Sequence, residues 1–338
     1  MLGSSTTHFP KLPPNLKGIK RTRTSNTTSL GIDCLDKLIE DGIPFPSIVL
    51  IDERNSKKYS KMLARLFVAE GFKTGQELMV VGTKKDTDEL LESVPVEMTA
   101  APTSASTSKP KLNEDPMKIA WRYNTAPQVA QMSMQEKFDL AKSLPKDTLD
   151  SSGLIQVYNG RNGQMNYDDL YSDLGKALKD QRFDVLSNSA TSVLRFCVQD
   201  LATPLISGYS GDSLLAFLVR FKSRLMTCSA VAMVTLDGNL VDPECLKTIY
   251  SLVDTVFVFH SNVADSGTGG RMEIAKYPRC YGLVPFKREN CDFVYKTGRR
   301  TIEFRKLHLD PEGVDDAKVA DDEPILPKLK ELGVLATE

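Results

Sequence analysis

Histidine, cysteine and tryptophan are scarce, at three, six and one residues among 338. The cysteines stand at 34, 197, 228, 245, 280 and 291, without a Cys-x-x-Cys pair and without a histidine at metal-ligand spacing. That pattern excludes the common zinc and thiol-redox motifs, so no metal is expected. Cys34, Cys197 and Cys228 lie in apolar runs, where a thiol serves as a small hydrophobe. No stretch approaches the ~18 apolar residues of a membrane-spanning helix. Leu214–Val219 and Val253–Phe259 come nearest and stop at Arg220 and Asp254. The N-terminus is polar from the start and offers no signal-peptide core. These absences predict a soluble, reduced, intracellular chain with no membrane partner.

An excess of charge is missing too. Lys+Arg number 43 and Asp+Glu 44, for a net charge of −1, which excludes a uniformly basic nucleic-acid binder. The balance hides two opposed ends. Residues 1–27 carry Lys11, Lys17, Lys20, Arg21 and Arg23 and no acid; residues 310–338 open with a run of carboxylates from Asp310 to Glu323. Both read as solvated tails with too little to bury. Within the 28–309 domain, a run of Ala, Pro, Ser and Thr marks a flexible insertion at about 95–116.

Elsewhere, apolar runs alternate with amphipathic stretches. Strands are expected at Ser47–Asp52, Glu77–Gly82, Val193–Val198, Ala230–Leu236, Thr255–Phe259 and Tyr281–Phe286. Helices are expected at Tyr59–Gly71 with Gly71 as the stop, Asn166–Arg182 capped by Asn166, Asp212–Met226, and from Asp242-Pro243 to Leu252. Phe293–Lys296 and Thr301–Leu307 flank a turn and read as a hairpin. Strands alternating with helices imply an α/β fold with a mostly parallel sheet covered on both faces.

Strand, loop, helix and a later strand ending in Asp is the order of nucleotide-binding proteins. A phosphate loop needs glycines, so that backbone amides can wrap the anion, followed by Lys and Ser/Thr. Asp52–Lys61 contains no glycine. Asn55, Ser56 and Tyr59 crowd the turn, and Asp52 and Glu53 repel phosphate. Asn55, Ser56, Lys57, Lys58 and Ser60 thus mark a degenerate phosphate-loop position, and no nucleotide cofactor is expected. Asp200, at the Walker B position, reads as a strand-end cap. Ser266–Gly270 reads as a loop and Trp121 as a core anchor. His8, His260, His308 and Ser210 lie in no catalytic motif, which leaves no visible catalytic machinery.

Thr28–Asp36 with Asp41-Gly42-Ile43-Pro44 resembles the entry of a RecA-like domain. Met117–Tyr123, Phe138–Lys142, Leu194–Pro204, Leu214–Met233 and Phe304–Glu312 are more specific. Together they resemble the PAXNEB family, the fourth subunits of the Elongator complex, across residues 28–312. The resemblance implies a RecA-like fold lacking a working Walker A. It further implies a heterohexameric ring with subunits five and six and association with the catalytic Elongator subcomplex. Such a ring would bind tRNA and support wobble-uridine modification, in cytoplasm and nucleus, with no enzymatic role for this chain. A ring ATPase lending residues in trans to a neighbour's nucleotide is the alternative. The pore loops of such rings would fall at about Thr203–Gly211 and Asp237–Asp242, which hold no Lys or Arg. Phosphate affinity rests on cations, so Lys222, Arg224, Arg271, Lys276, Arg279 and the basic tail are the candidate RNA contacts.

Overall fold

The computed structural model describes residues 16–21, 26–39, 42–54, 58–98, 137–186, 189–261, 269–278 and 292–306. In chain order the elements are β1 (Ile19–Arg21), β2 (Asn26–Thr28), α1 (Asp33–Leu38), β3 (Ile43–Pro44), β4 (Ser47–Arg54) and α2 (Lys58–Lys73). Then come β5 (Glu77–Val81), α3 (Lys84–Glu92), β6 (Pro95–Glu97), β7 (Phe138–Ser143), α4 (Lys146–Ser151), β8 (Ile155–Tyr158), β9 (Met165–Asn166) and α5 (Tyr167–Ala177). The remainder are β10 (Leu194–Val198), β11 (Ile206–Ser207), α6 (Gly211–Leu225), β12 (Ala230–Leu236), α7 (Pro243–Leu252), β13 (Thr255–Ser261), β14 (Gly270–Lys276), β15 (Asp292–Thr297) and β16 (Ile302–Lys306).

Among the described residues, nine strands form the main sheet in the order β16-β15-β14-β13-β4-β12-β10-β5-β8. From β13 to β8 neighbouring strands run parallel, whereas β14, β15 and β16 extend the sheet antiparallel from β13. The central strands are mostly apolar because both of their faces are covered; Arg195 of β10 and Asp52 and Glu53 of β4 are the buried charged exceptions. Val49 and Ile51 of β4 pack with α1 and α2, through residues such as Leu35, Leu63 and Phe67. Ile48 and Leu50 pack with α5, α6 and α7, through Leu174, Phe217, Phe221 and Ile249. Successive strand residues point to opposite faces, so one strand feeds two cores.

The expected helices and the closing hairpin are present, with shifted ends. The α2 helix runs through Gly71 to Lys73, and Gly75 follows it at φ +66. Gly71 is required for close approach instead: a Cβ there would lie 2.8 Å from the Arg195 side chain and 2.8 Å from that of Leu78. Asn166 caps α5 by accepting the Asp169 amide, although the helix ends at Ala177 and a separate 3₁₀ turn covers Gln181–Phe183.

Three expectations are corrected. Part of the basic N-terminal segment is ordered: β1 pairs antiparallel with β2, and β2 with β3. Its anchors are distant in sequence, since the Gln76 side chain donates to the Lys17 carbonyl at 2.7 Å and Arg195 reaches Thr28. Composition alone could not reveal them. The insertion does not begin at 95, because Pro95–Glu97 forms β6 and pairs with β7. The glycine cluster ends in a strand: Gly270 opens β14 and lies opposite Ser261. The alternation of Met272 and Ile274 with Arg271, Glu273 and Ala275 was the available signal. Trp121, Met117–Tyr123, Tyr281–Phe286, His8, His308 and the acidic tail lie outside the described residues. Among the described residues, no helix is long and apolar enough to cross a membrane.

Candidate functional site

Open α/β sheets bind ligands beyond the carboxyl ends of their strands. At that end of β4 stand Asp52, Glu53 and Arg54. Glu53 is buried, and its carboxylate accepts the Tyr59 amide at 3.0 Å and the Ser60 amide at 2.5 Å. These amides belong to the first turn of α2, where helical N–H groups lack intrahelical partners and a phosphate would bind. The chain fills that place with its own anion. Glu53 does more than repel phosphate: it satisfies the donors a phosphate would need. Of the phosphate-loop candidates, Lys58 is exposed and lies 5.7 Å from the Tyr59 ring centroid, and Ser60 is buried with its amide on Glu53. Asn55, Ser56 and Lys57 lie outside the described residues.

Asp52 faces the other side of the sheet. It accepts the Gly238 amide at 2.7 Å, the Tyr250 hydroxyl at 2.5 Å and Arg54 Nε at 3.3 Å. Burial and the Asp52 carboxylate push the Tyr250 phenol well above its ordinary value. Asp52 therefore ties the end of β4 to α7 and to the loop after β12.

At the end of β10, Asp200 adopts φ +50 and its amide donates to the Thr235 hydroxyl at 3.0 Å. Asp tolerates this left-handed conformation better than most residues. Beside it, Gln199 is buried and its side-chain nitrogen has no hydrogen-bond partner among the described residues. The two expected pore-loop segments are linked, because the Tyr209 hydroxyl donates to the Leu240 carbonyl at 3.1 Å. Each exposes a leucine: Leu205 is 76% and Leu240 46% exposed. Ser210 is a helix cap, accepting the Ser213 amide at 3.1 Å in a capping box with Ser213.

Most of the cationic candidates are engaged. Lys222 Nζ donates to the Leu252 carbonyl and pairs with Asp254, both at 2.6 Å. Lys276 Nζ donates to the carbonyls of Tyr250, Ser251 and Val253 at 3.0, 2.6 and 2.5 Å. Two lysines thus converge on the C-terminal end of α7, the negative pole of the helix. Arg224 reaches the Leu178 carbonyl at 3.3 Å, at the end of α5. Arg271 is exposed on β14, and Arg279 lies outside the described residues. Sequence could not separate these roles, because the acceptor carbonyls lie far along the chain.

Sequence reasoning did not single out a buried network behind the sheet. Arg195 is fully buried; its guanidinium donates to the Thr28 hydroxyl and the Ser29 carbonyl at 2.8 Å each and to the Gln76 side chain. It lies 4.6 Å from the Phe67 ring centroid. Nearby, Asp36 accepts the Ser29 hydroxyl and the Leu30 amide. Lys137 pairs with Asp33 at 2.9 Å and Glu70 at 3.6 Å.

Burial pushes the Asp36 carboxyl from its ordinary 3.8 up to about 6, against the opposing pull of Ser29, Leu30 and Lys137. Between those two values the folded protein holds a proton that the unfolded chain has released. Stability from this group therefore rises as pH falls through the window. Asp36→Asn removes the titration. In urea unfolding at pH 4, 5, 6 and 7, the variant is expected to gain on the native chain as pH rises, by up to about 3 kcal/mol. A difference independent of pH would refute the assignment.

The PAXNEB protein family model matches residues 13–328 of the chain. Elongator complex protein 4 of Xenopus laevis is 24% identical over 345 residues, covering 90% of this chain and 84% of that protein. Its Homo sapiens counterpart is 23% identical over 371 residues, covering 95% and 86%. Among solved structures, a KaiC-like protein of the hyperthermophilic archaeon Pyrococcus horikoshii superposes with a TM-score of 0.50 at 12% identity. It covers 83% of this chain and 99% of its own. That likeness is one of fold, and the fold is RecA-like.

Proposed function

The chain belongs to the PAXNEB protein family, and from that premise we propose that it is a non-catalytic, RecA-like subunit of the Elongator complex. In this reading it assembles with subunits five and six into a heterohexameric ring. The ring binds tRNA and supports wobble-uridine modification, in cytoplasm and nucleus, while the chemistry belongs to the catalytic Elongator subcomplex. The named relatives support the placement in Elongator.

The observation that carries the non-catalytic reading is the Glu53 carboxylate on the Tyr59 and Ser60 amides. A triphosphate would have to displace a buried anion from the helix terminus, and the turn has no glycine through which its backbone could re-form around the newcomer.

Purification of the tagged full chain from native extract tests the reading. Two related RecA-like chains are expected in equal amounts with it, together with tRNA. Recovery as a lone monomer would overturn it. Calorimetric titration of the same full chain with ATP is expected to show no saturable binding; tight binding would favour the ring-ATPase alternative.

A further inference from the structure

Beyond β5 and β10 the chain parts to opposite faces of the sheet. β5 leads into α3, on the face that buries Leu90 and Leu91, and on toward β8. β10 leads into α6, on the face that buries Phe217 and Phe221, and on to β12. Open α/β sheets bind ligands where adjacent connections diverge in this way, because they leave a crevice between them. Three residues stand there at one level. Val81 pairs with Val198 on one flank and with Tyr158 on the other, so the next residues, Gln199, Gly82 and Asn159, line up across β10, β5 and β8. A Cβ on Gly82 would lie 3.4 Å from Gln199 Cβ and 3.4 Å from Thr87 Cγ2. The Gln199 side chain therefore lies against the first turn of α3.

Donors gather at this place. Gln199 is only 4% exposed, and its side-chain nitrogen lacks a partner among the described residues. A buried donor left unpaired costs stability unless a ligand supplies the acceptor. The Asn159 side-chain oxygen accepts the Thr87 hydroxyl at 2.9 Å, which leaves its nitrogen without a partner among the described residues. α3 opens with Lys84 and Lys85, both exposed and neither paired among the described residues. Helices usually place acids in this turn. The one acid here, Asp86, is turned aside: it accepts the Thr83 hydroxyl at 2.6 Å and pairs with Lys61 at 3.1 Å. The Thr83 cap accepts the Asp86 amide, so the Lys84 and Lys85 amides stay open. Where α2 fills its terminus with Glu53, α3 leaves its first two donors free. Asp200 sends its amide to Thr235 on β12, on the far flank of β10 from β5.

We propose that the crevice between α3 and the ends of β5 and β10 seats a phosphate of the RNA backbone, an inference that rests on the reading that the chain binds tRNA. Lysines, side-chain amides, backbone N–H groups and helix N-termini are the groups that hold nucleic-acid phosphates. All four meet here. A phosphate on the Lys84 and Lys85 amides lies at the positive end of α3, between two ammonium groups, and gives Gln199 the acceptor it lacks. Lys84 and Lys85 take the place of Lys222, Arg224 and Lys276, whose head groups are held by helix-terminal carbonyls.

Fluorescence anisotropy with a labelled tRNA transcript tests this on the full chain over a salt series. The double variant Lys84→Gln, Lys85→Gln is expected to weaken binding several-fold and to reduce the magnitude of the log–log salt slope by about 1–2. Gln199→Leu keeps the volume and removes the donor. It is expected to weaken binding at unchanged slope, while its urea midpoint holds or rises. Lys179→Gln, exposed beyond the end of α5, is expected to leave affinity and slope unchanged. Native affinity and slope in the double variant, with tRNA still bound by the native chain, would overturn the site alone. So would an equal loss in Lys179→Gln, which would mark a general effect of charge. A lowered midpoint in Gln199→Leu would show that the carboxamide serves the fold, and would remove it from the site. Absence of tRNA binding by the native chain would overturn the site and the reading beneath it. Displacement of tRNA by polyglutamate at equal charge would overturn the assignment to phosphate.

Discussion

Arg195→Ala is expected to cost about 3–5 kcal/mol of folding free energy. Two losses combine. The stack on Phe67 leaves a cavity between α2 and the sheet, and the Gln76, Thr28 and Ser29 oxygens lose their buried donor. Burial pulls the Arg195 pKa down to about 10, with Glu70 and Asp36 pulling the other way, so the guanidinium still carries its charge at neutral pH. Arg195→Met fills most of the volume without satisfying the acceptors and is expected to lie between the two. Denaturant unfolding gives the magnitudes. Hydrogen exchange adds the location: amides of β1 and β2 are expected to lose protection first in both variants. Native-like protection of β2 in Arg195→Ala would show that the N-terminal strands are held by other contacts.

Glu53→Lys is expected to cost at least about 3 kcal/mol, since each buried donor stripped of its acceptor costs about 1–3 kcal/mol. The change also sets a cation against the positive end of α2. Glu53→Gln keeps one acceptor oxygen and loses the charge, so its cost is expected to fall near 1–2 kcal/mol. The order native, Gln, Lys in urea midpoint is the signature. Equal midpoints for the three would mean that the Tyr59 and Ser60 amides are satisfied without Glu53.

Legibility in the sequence followed the range of the interactions. β4, β10 and β12 could be read because strands buried on both faces are mostly apolar, and the closing hairpin because its turn residues are local. α7 announces its start locally, through Asp242-Pro243, whereas α6 was legible from its apolar spacing and its Ser210–Ser213 capping box emerged only in the structure. The entry motif and the resemblance to a RecA-like family were also legible, and the fold agrees with both. Other features depend on partners far along the chain. Lys222 and Lys276 look like surface cations until α7 is placed between them. Asp52 and Glu53 look alike in sequence, yet alternation sends one toward α7 and the other to the α2 amides. Arg195 sits in an apolar strand with nothing local to show that its partners begin at Thr28.

The Arg195 contact also dictates a timetable for synthesis. The Ser29 carbonyl waits for a donor 166 residues further along. At about 5–20 residues per second, the ribosome needs roughly 8–33 seconds to supply it. Throughout that interval the opening strands have emerged without their clamp, exposed to whatever chaperones attend the nascent polypeptide. The clamp on the N-terminal strands is thus a late arrival, and closure of the main sheet comes later still, because β4 lies between β12 and β13 and waits for both.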